Sequence, residues 1–286
     1  MFRPDVERKR FINSSHVGKY ASIGDLRVHY MEQGVGEVIL MIHGMGQSLY
    51  TWRNNIDELA KNYRVIILDL LGHGYSDKPC IAYTVDEMAE FLKLFMESIS
   101  VSRASIVAFS TGSIYALRLA QQYPMAVNRL VLLAPGGLPN KTNQMWMNMV
   151  LSGTFSRLAL SMFSEKKVYH TLMECFFDKT CVTDEVVEQY YLPLEDKGAR
   201  HALADCISSF EVGDVMDNLR NMQEHVLLIN GGDDPWRPMD EMDFFSNALP
   251  NSYLVQVRNC GHMLQEEKKD KINTTIQEFL EWNGRV

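Results

Sequence analysis

Six apolar runs constrain this chain more than any other feature: "EVILMIHG", "YRVIILDL", "ASIVAFS", "NRLVLLAP", "EHVLLING" and "SYLVQVRN". They are rich in β-branched and aliphatic residues and do not alternate polar with apolar. A strand with one wet face must alternate, so such runs belong to strands covered on both faces, the condition of a parallel sheet between two layers of helices. Helix-patterned stretches separate most of them, at Thr84 to Ile99, Gly112 to Gln122 and Glu267 to Trp282. This order predicts an α/β, doubly wound, mostly parallel sheet. Antiparallel strands are expected near the start, where "LRVHYMEQG" leads into "EVILMIHG" with little room for a helix.

The rhythm fails between Gly136 and about Gly213, where helical patterns rich in Met, Leu and Phe replace central strands. The interruption opens at "APGGLPN", whose Pro and Gly residues end the preceding strand. The expected organisation is therefore a core of residues 1–135 and 214–286 with a helical insertion at 136–213. A chain of 286 residues can bury a large core. No segment approaches the roughly 18 consecutive apolar residues that a membrane span needs.

Charge and cysteine usage narrow the classes of partner. A formal charge of −8, with 28 basic against 36 acidic residues, opposes binding to a phosphate backbone, and the basic clusters "ERKR" and "EEKKDK" are mixed with acids. No nucleic-acid partner is expected. The 5 cysteines are scattered and form no C-x-x-C pair, which fits reduced thiols rather than disulfides or zinc. The start, "MFRPDVERKRF", lacks the apolar stretch of a secretory signal, so the expected location is the cytoplasm, with no membrane partner.

Chemistry-bearing residues gather where strands end. In "VAFSTGS", Ser110 closes a strand run and a helical pattern begins at once. A nucleophile on such a tight turn needs small neighbours two residues before and after it, here Ala108 and Gly112. The following helix would aim free N–H groups at an oxyanion formed there. A serine needs a base, and of the 8 histidines His262, in "VRNCGHMLQEE", follows the last strand run and so shares a sheet edge with Ser110. "LLINGGDDPWRP" offers two candidate acids at another strand end, Asp233 and Asp234, in a string that would also make an ordinary turn.

A dinucleotide site is the rival at the first strand end. "IHGMGQSL" contains G-x-G, and Asp69 ends the next strand where a ribose-binding acid would lie. Leu49 occupies the place of the third glycine, and the three residues above would be left unexplained.

With "LMIHGMGQSLYTW", "VIILDLLGHGYSDKP", "VAFSTGS", "LLINGGDDPWRP" and "NCGHMLQEE" in this order, the chain resembles the α/β-hydrolase superfamily over almost its whole length. The resemblance implies Ser110 as nucleophile, His262 as base and Asp234, three residues after the glycine that ends its strand, as the orienting acid. It implies an oxyanion hole from the backbone N–H groups of Met45 and Thr111, with His43 holding the loop. It also gives the insertion a meaning, a helical cap over the site, with Trp146 and Met149 as expected substrate-binding residues. No metal or organic cofactor is implied, and the expected partner is a small-molecule substrate.

A serine at this turn argues against dehalogenases and epoxide hydrolases of the superfamily, which use an aspartate. The expected activity is hydrolysis of an ester or thioester of a small, largely apolar acid. Acyl transfer, carbon–carbon bond hydrolysis and cofactor-free lyase or cyclase chemistry are alternatives on the same fold. Meta-cleavage hydrolases usually carry a tryptophan after the histidine, whereas Met263 stands there. A non-catalytic ligand-binding protein is the alternative of another class.

Overall fold

Eight strands form one sheet in the order β1-β2-β4-β3-β5-β6-β7-β8. They are β1 (Lys19–Ile23), β2 (Leu26–Gln33), β3 (Val38–Ile42), β4 (Arg64–Leu68), β5 (Ala104–Phe109), β6 (Val127–Leu133), β7 (His225–Gly231) and β8 (Ser252–Val257). The computed structural model describes residues 18–137 and 164–282. From β4 through β3 to β8 every neighbouring pair is parallel. As expected, the antiparallel strands are at the start, but β2 pairs with β1 and β4 and not with β3, the strand that follows it in the chain. The sheet is mostly parallel and flanked by helices.

The apolar runs do not alternate because both faces of the sheet are dry. Leu40, Ile42, Ile106, Ala108, Leu132 and Leu228 face one apolar layer, while Ile39, Met41, Val107, Phe109, Leu133 and Ile229 face the other. The first layer is closed by α1 (Val85–Ser98), α2 (Gly112–Gln122) and α6 (Met239–Ala248) through Phe95, Tyr115 and Phe245. The second is closed by Trp52 and by α7 (Lys269–Glu281) through Ile272 and Ile276. Each large side chain buried this way contributes about 1.5–3 kcal/mol relative to exposure. Strand β8 is the exception. It lies at the sheet edge, so its burial is partial and Tyr253 is exposed.

Helix α1 starts where its sequence says it should, because Thr84 and Glu87 form a reciprocal cap. The helix expected from Glu267 to Trp282 is divided. A single turn at Leu264–Glu267 ends at Lys268, whose φ of −124° and ψ of 40° break the run before α7. The insertion, as far as it is described, is helical: α3 (Glu165–Cys175), α4 (Asp184–Tyr191) and α5 (Lys197–Ser209) lie between β6 and β7, with no strand among the described residues there. Val168, Leu172, Val187 and Leu203 join these helices to the second apolar layer. Among the described residues no helix is long and apolar enough to cross a membrane.

Candidate active site

Ser110 is the first residue after β5 and has φ of +52°, in the left-handed region that a side-chain-bearing residue occupies at a cost of about 1–3 kcal/mol. Three backbone bonds impose it. Its N–H donates to the Leu133 carbonyl at 2.9 Å, and its carbonyl accepts the N–H groups of Ser113 at 3.0 Å and Gly136 at 3.3 Å. Gly112 must be small, for a reason other than the approach of Ala108. A Cβ there would stand 2.5 Å from the His43 carbonyl oxygen, at the end of neighbouring β3. The carbonyl of Ala108 instead accepts the Ser113 hydroxyl at 3.2 Å.

His262 follows β8, on a loop held from two sides. Its N–H donates to the carbonyl of Cys175, at the end of α3, at 2.7 Å. The N–H of Gly261 donates to Glu267 Oε1 at 2.9 Å, while Oε2 accepts the N–H groups of Phe177 and Asp178, each at 3.0 Å. Burial raises the Glu267 carboxyl above its ordinary range, against the pull of those three bonds.

The imidazole of His262 joins the other two candidates. Nε2 lies 3.2 Å from Ser110 Oγ, and Nδ1 lies 2.7 Å from Asp234 Oδ2. A carboxylate accepts, so the hydrogen sits on Nδ1 and the Nε2 lone pair faces the serine hydroxyl. All three side chains are buried, between Phe109 at 4.9 Å and Trp236 at 5.1 Å from the histidine ring centre.

Asp234 is fixed by its own turn, since Oδ1 accepts the N–H groups of Trp236 at 2.8 Å and Arg237 at 3.1 Å. Asp233 is exposed, and among the described residues only its backbone is hydrogen-bonded, through an N–H donated to the Cys260 carbonyl at 3.0 Å. A turn-capping role belongs to Asp234, not to its neighbour.

The expected oxyanion donors differ in state. The N–H of Thr111 meets no acceptor among the described residues, whereas the N–H of Met45 donates to Thr111 Oγ1 at 2.7 Å. His43 holds the loop between them and the sheet. Its Nδ1–H donates to the Gly44 carbonyl at 2.7 Å, its Nε2 accepts the Leu70 N–H at 3.0 Å, and burial lowers its pKa. Trp146 and Met149 lie outside the described residues.

Two other chemistries lose their residues. Asp69, the acid of the dinucleotide alternative, is fully buried and taken by His29 Nδ1 at 2.7 Å and by the N–H groups of Leu49 at 2.7 Å and Tyr75 at 2.8 Å. Burial pushes the Cys260 thiol up to about 12 and Cys175 well above its ordinary value, which disfavours these two cysteines near the site as nucleophiles. Among the described residues no group of three or more His, Cys, Asp or Glu side chains could hold a metal ion.

Phe109, Trp236 and Glu267 were not singled out from the sequence, although Phe109 precedes Ser110 and the other two lie a few residues after Asp234 and His262. Their only signal is that closeness; the ring contacts with His262 and the bonds to Phe177 and Asp178 are long-range.

The family model described as the alpha/beta hydrolase fold matches residues 37–269. The 2-hydroxy-6-oxononadienedioate/2-hydroxy-6-oxononatrienedioate hydrolase of Comamonas testosteroni is 27% identical over 290 residues, covering 94% of this chain and 98% of its own. Two solved structures share the fold. A putative lipase from Acinetobacter baumannii AYE has a TM-score of 0.83 at 22% identity, over 96% of this chain and 94% of that one. A meta-cleavage product hydrolase from Pseudomonas fluorescens IP01 has a TM-score of 0.80 at 24% identity, over 92% and 97%.

Proposed function

The chain belongs to the alpha/beta hydrolase fold family, and from that premise we propose that it is a serine hydrolase cleaving an ester or thioester of a small, largely apolar acid. One observation carries this: the continuous line from Ser110 Oγ to His262 Nε2 at 3.2 Å and from His262 Nδ1 to Asp234 Oδ2 at 2.7 Å. Ser110 attacks the substrate carbonyl while His262 takes its proton; the imidazolium then protonates the leaving alcohol or thiol. Water, deprotonated by the same nitrogen, releases the acid from the acyl-enzyme. Asp234 holds the ring in the required tautomer throughout.

Residues 136–213 act as a cap in this proposal, with Trp146 and Met149 contributing to the acyl pocket. Support comes from the described part, where the Cys175 carbonyl holds the His262 N–H at 2.7 Å. Phe109, Trp236 and Met45 give the surroundings of the serine an apolar character suited to such an acid. The chain acts on a small molecule in the cytoplasm, without cofactor.

Hydrolysis of a carbon–carbon bond is the second possibility, favoured by the 27% identity to the Comamonas hydrolase over nearly the full length of both chains. Against it stands Met263, buried after the histidine with its sulfur accepting from Gln47 Nε2 at 3.4 Å, where such enzymes usually carry tryptophan. The deciding experiment runs nitrophenyl esters and acyl thioesters of graded chain length beside a 2-hydroxy-6-oxo-dienoate. A kcat/KM for the dienoate roughly a hundredfold above the best ester would replace the ester proposal with the second one. No turnover of either class, with no labelling of Ser110 by a phosphonate, would make the chain a binding protein.

A further inference from the structure

Thr111 does something that its place at the start of α2 does not require. A threonine at a helix N-terminus ordinarily uses its hydroxyl to accept an N–H of the first turn. The Thr111 hydroxyl makes no such cap. It reaches instead to the loop after β3 and accepts the Met45 N–H at 2.7 Å.

Two consequences follow. The Met45 N–H is already used, so a substrate oxygen cannot receive it while this bond stands. The hydroxyl that receives it still carries one hydrogen of its own, and among the described residues nothing accepts that hydrogen. Accepting one bond strengthens the bond a hydroxyl donates, because linked hydrogen bonds polarise one another. The backbone N–H of Thr111 is also without an acceptor among the described residues. Two free donors of one half-buried residue therefore stand next to Ser110 in the chain.

We propose that the Thr111 hydroxyl is itself an oxyanion donor, with the Met45 N–H acting through it rather than touching the substrate. The proposal rests on the acyl-transfer chemistry above. As the Ser110 oxygen bonds to the substrate carbonyl carbon, the carbonyl π pair moves onto oxygen and the serine proton moves to His262 Nε2. The Thr111 O–H and N–H then both point at the new oxyanion, and neither gives up its proton. When the carbonyl re-forms, the leaving group departs with the proton from His262. The alternative, a hydroxyl that swings aside to free Met45, would have to break the 2.7 Å bond at every turnover.

Thr111→Val, which keeps the shape and removes the O–H, tests this beside Thr111→Ser, which keeps the O–H. Valine is expected to lower kcat by roughly a hundredfold with KM nearly unchanged, as when one oxyanion donor is lost. A boronate or trifluoromethyl ketone analogue should lose affinity by the same factor as kcat/KM, an effect that a packing role would not produce. Serine should recover most of both. If the valine variant does not fold, Thr111→Ala removes the same group and is read the same way. A valine or alanine variant that matches or exceeds the wild type overturns the proposal and leaves the hydroxyl as a plug on Met45. A wild-type protein that neither turns over esters nor labels at Ser110 would instead mean that the acyl-transfer proposal has failed.

Discussion

The carboxylate of Glu267 accepts the backbone N–H of Gly261, immediately before His262, at 2.9 Å. Its other oxygen accepts from Phe177 and Asp178 in the helical insertion, so one side chain ties the histidine loop to the segment above it. The fit is close, since a Cβ on Gly261 would stand 2.4 Å from the Cys175 carbonyl oxygen. Glu267→Ala leaves three N–H groups without their acceptor and should cost about 1–3 kcal/mol in stability, because part of that loss is made up by water. It should also lower kcat about tenfold or more by loosening His262. Glu267→Gln, which keeps one acceptor oxygen, should fall between. Unchanged melting temperature and kcat in the alanine variant would show that the loop is held by the His262 N–H alone.

Asp234 and Asp233 are separated by one measurement. In Asp234→Asn the retained oxygen can still accept from Trp236 and Arg237, so the turn survives, but the new amide donates toward His262 Nδ1 and imposes the wrong tautomer. Turnover should fall by about four orders of magnitude. Asp233→Asn, on an exposed carboxylate, should change neither turnover nor melting temperature measurably. Equal losses in the two variants would count against Asp234 as the orienting acid.

What could be read from the chain beforehand follows one physical line. That Ser110 and His262 would stand near one of Asp233 and Asp234 could be read because a parallel sheet brings the carboxyl ends of its strands to one edge, and strand ends are marked by composition; the choice of Asp234 came from the resemblance. The place of β2 was not legible, because adjacency in sequence suggested β3 as partner while the sheet inserts β4 between them. Glu267 escaped notice because its acceptor role depends on Phe177 and Asp178, about ninety residues away in the chain. The Thr111 hydroxyl escaped for another reason: a pattern of residue types fixes a helix start but not the rotamer of the side chain there.

His73 makes stability depend on pH. It is buried, its Nδ1–H donates to the Leu71 carbonyl at 3.0 Å, its Nε2 has no hydrogen-bond partner among the described residues, and burial lowers its pKa from 6.5 to about 3. Below pH 6.5 the unfolded chain takes a proton here, while the folded protein does not until about pH 3. Stability is therefore fully present above the ordinary histidine range and is lost as pH falls, by about 2 kcal/mol at pH ~5 from this residue. His73→Asn keeps a donor for Leu71 and removes the titration. Urea unfolding at pH ~7 and ~5 should show a smaller drop for the variant than for the wild type, though not none, since burial lowers His43 as well. Identical drops would mean that His73 is free to protonate in the folded state.

Ser110 couples strain to chemistry, and two substitutions separate them. Its φ of +52° is one that glycine adopts freely and alanine does not. Both Ser110→Ala and Ser110→Gly remove the nucleophile and should lower turnover by roughly three or more orders of magnitude. Their stabilities should part. Glycine relieves about 1–3 kcal/mol of backbone strain, against an unfolded-state entropy penalty of about 0.5–1 kcal/mol. Ser110→Gly is thus expected to be more stable than Ser110→Ala by about 1 kcal/mol, read from urea unfolding of the purified variants. If the alanine variant proves the more stable, the bonds to Leu133, Ser113 and Gly136 hold the turn without strain, and the serine is kept for its chemistry alone.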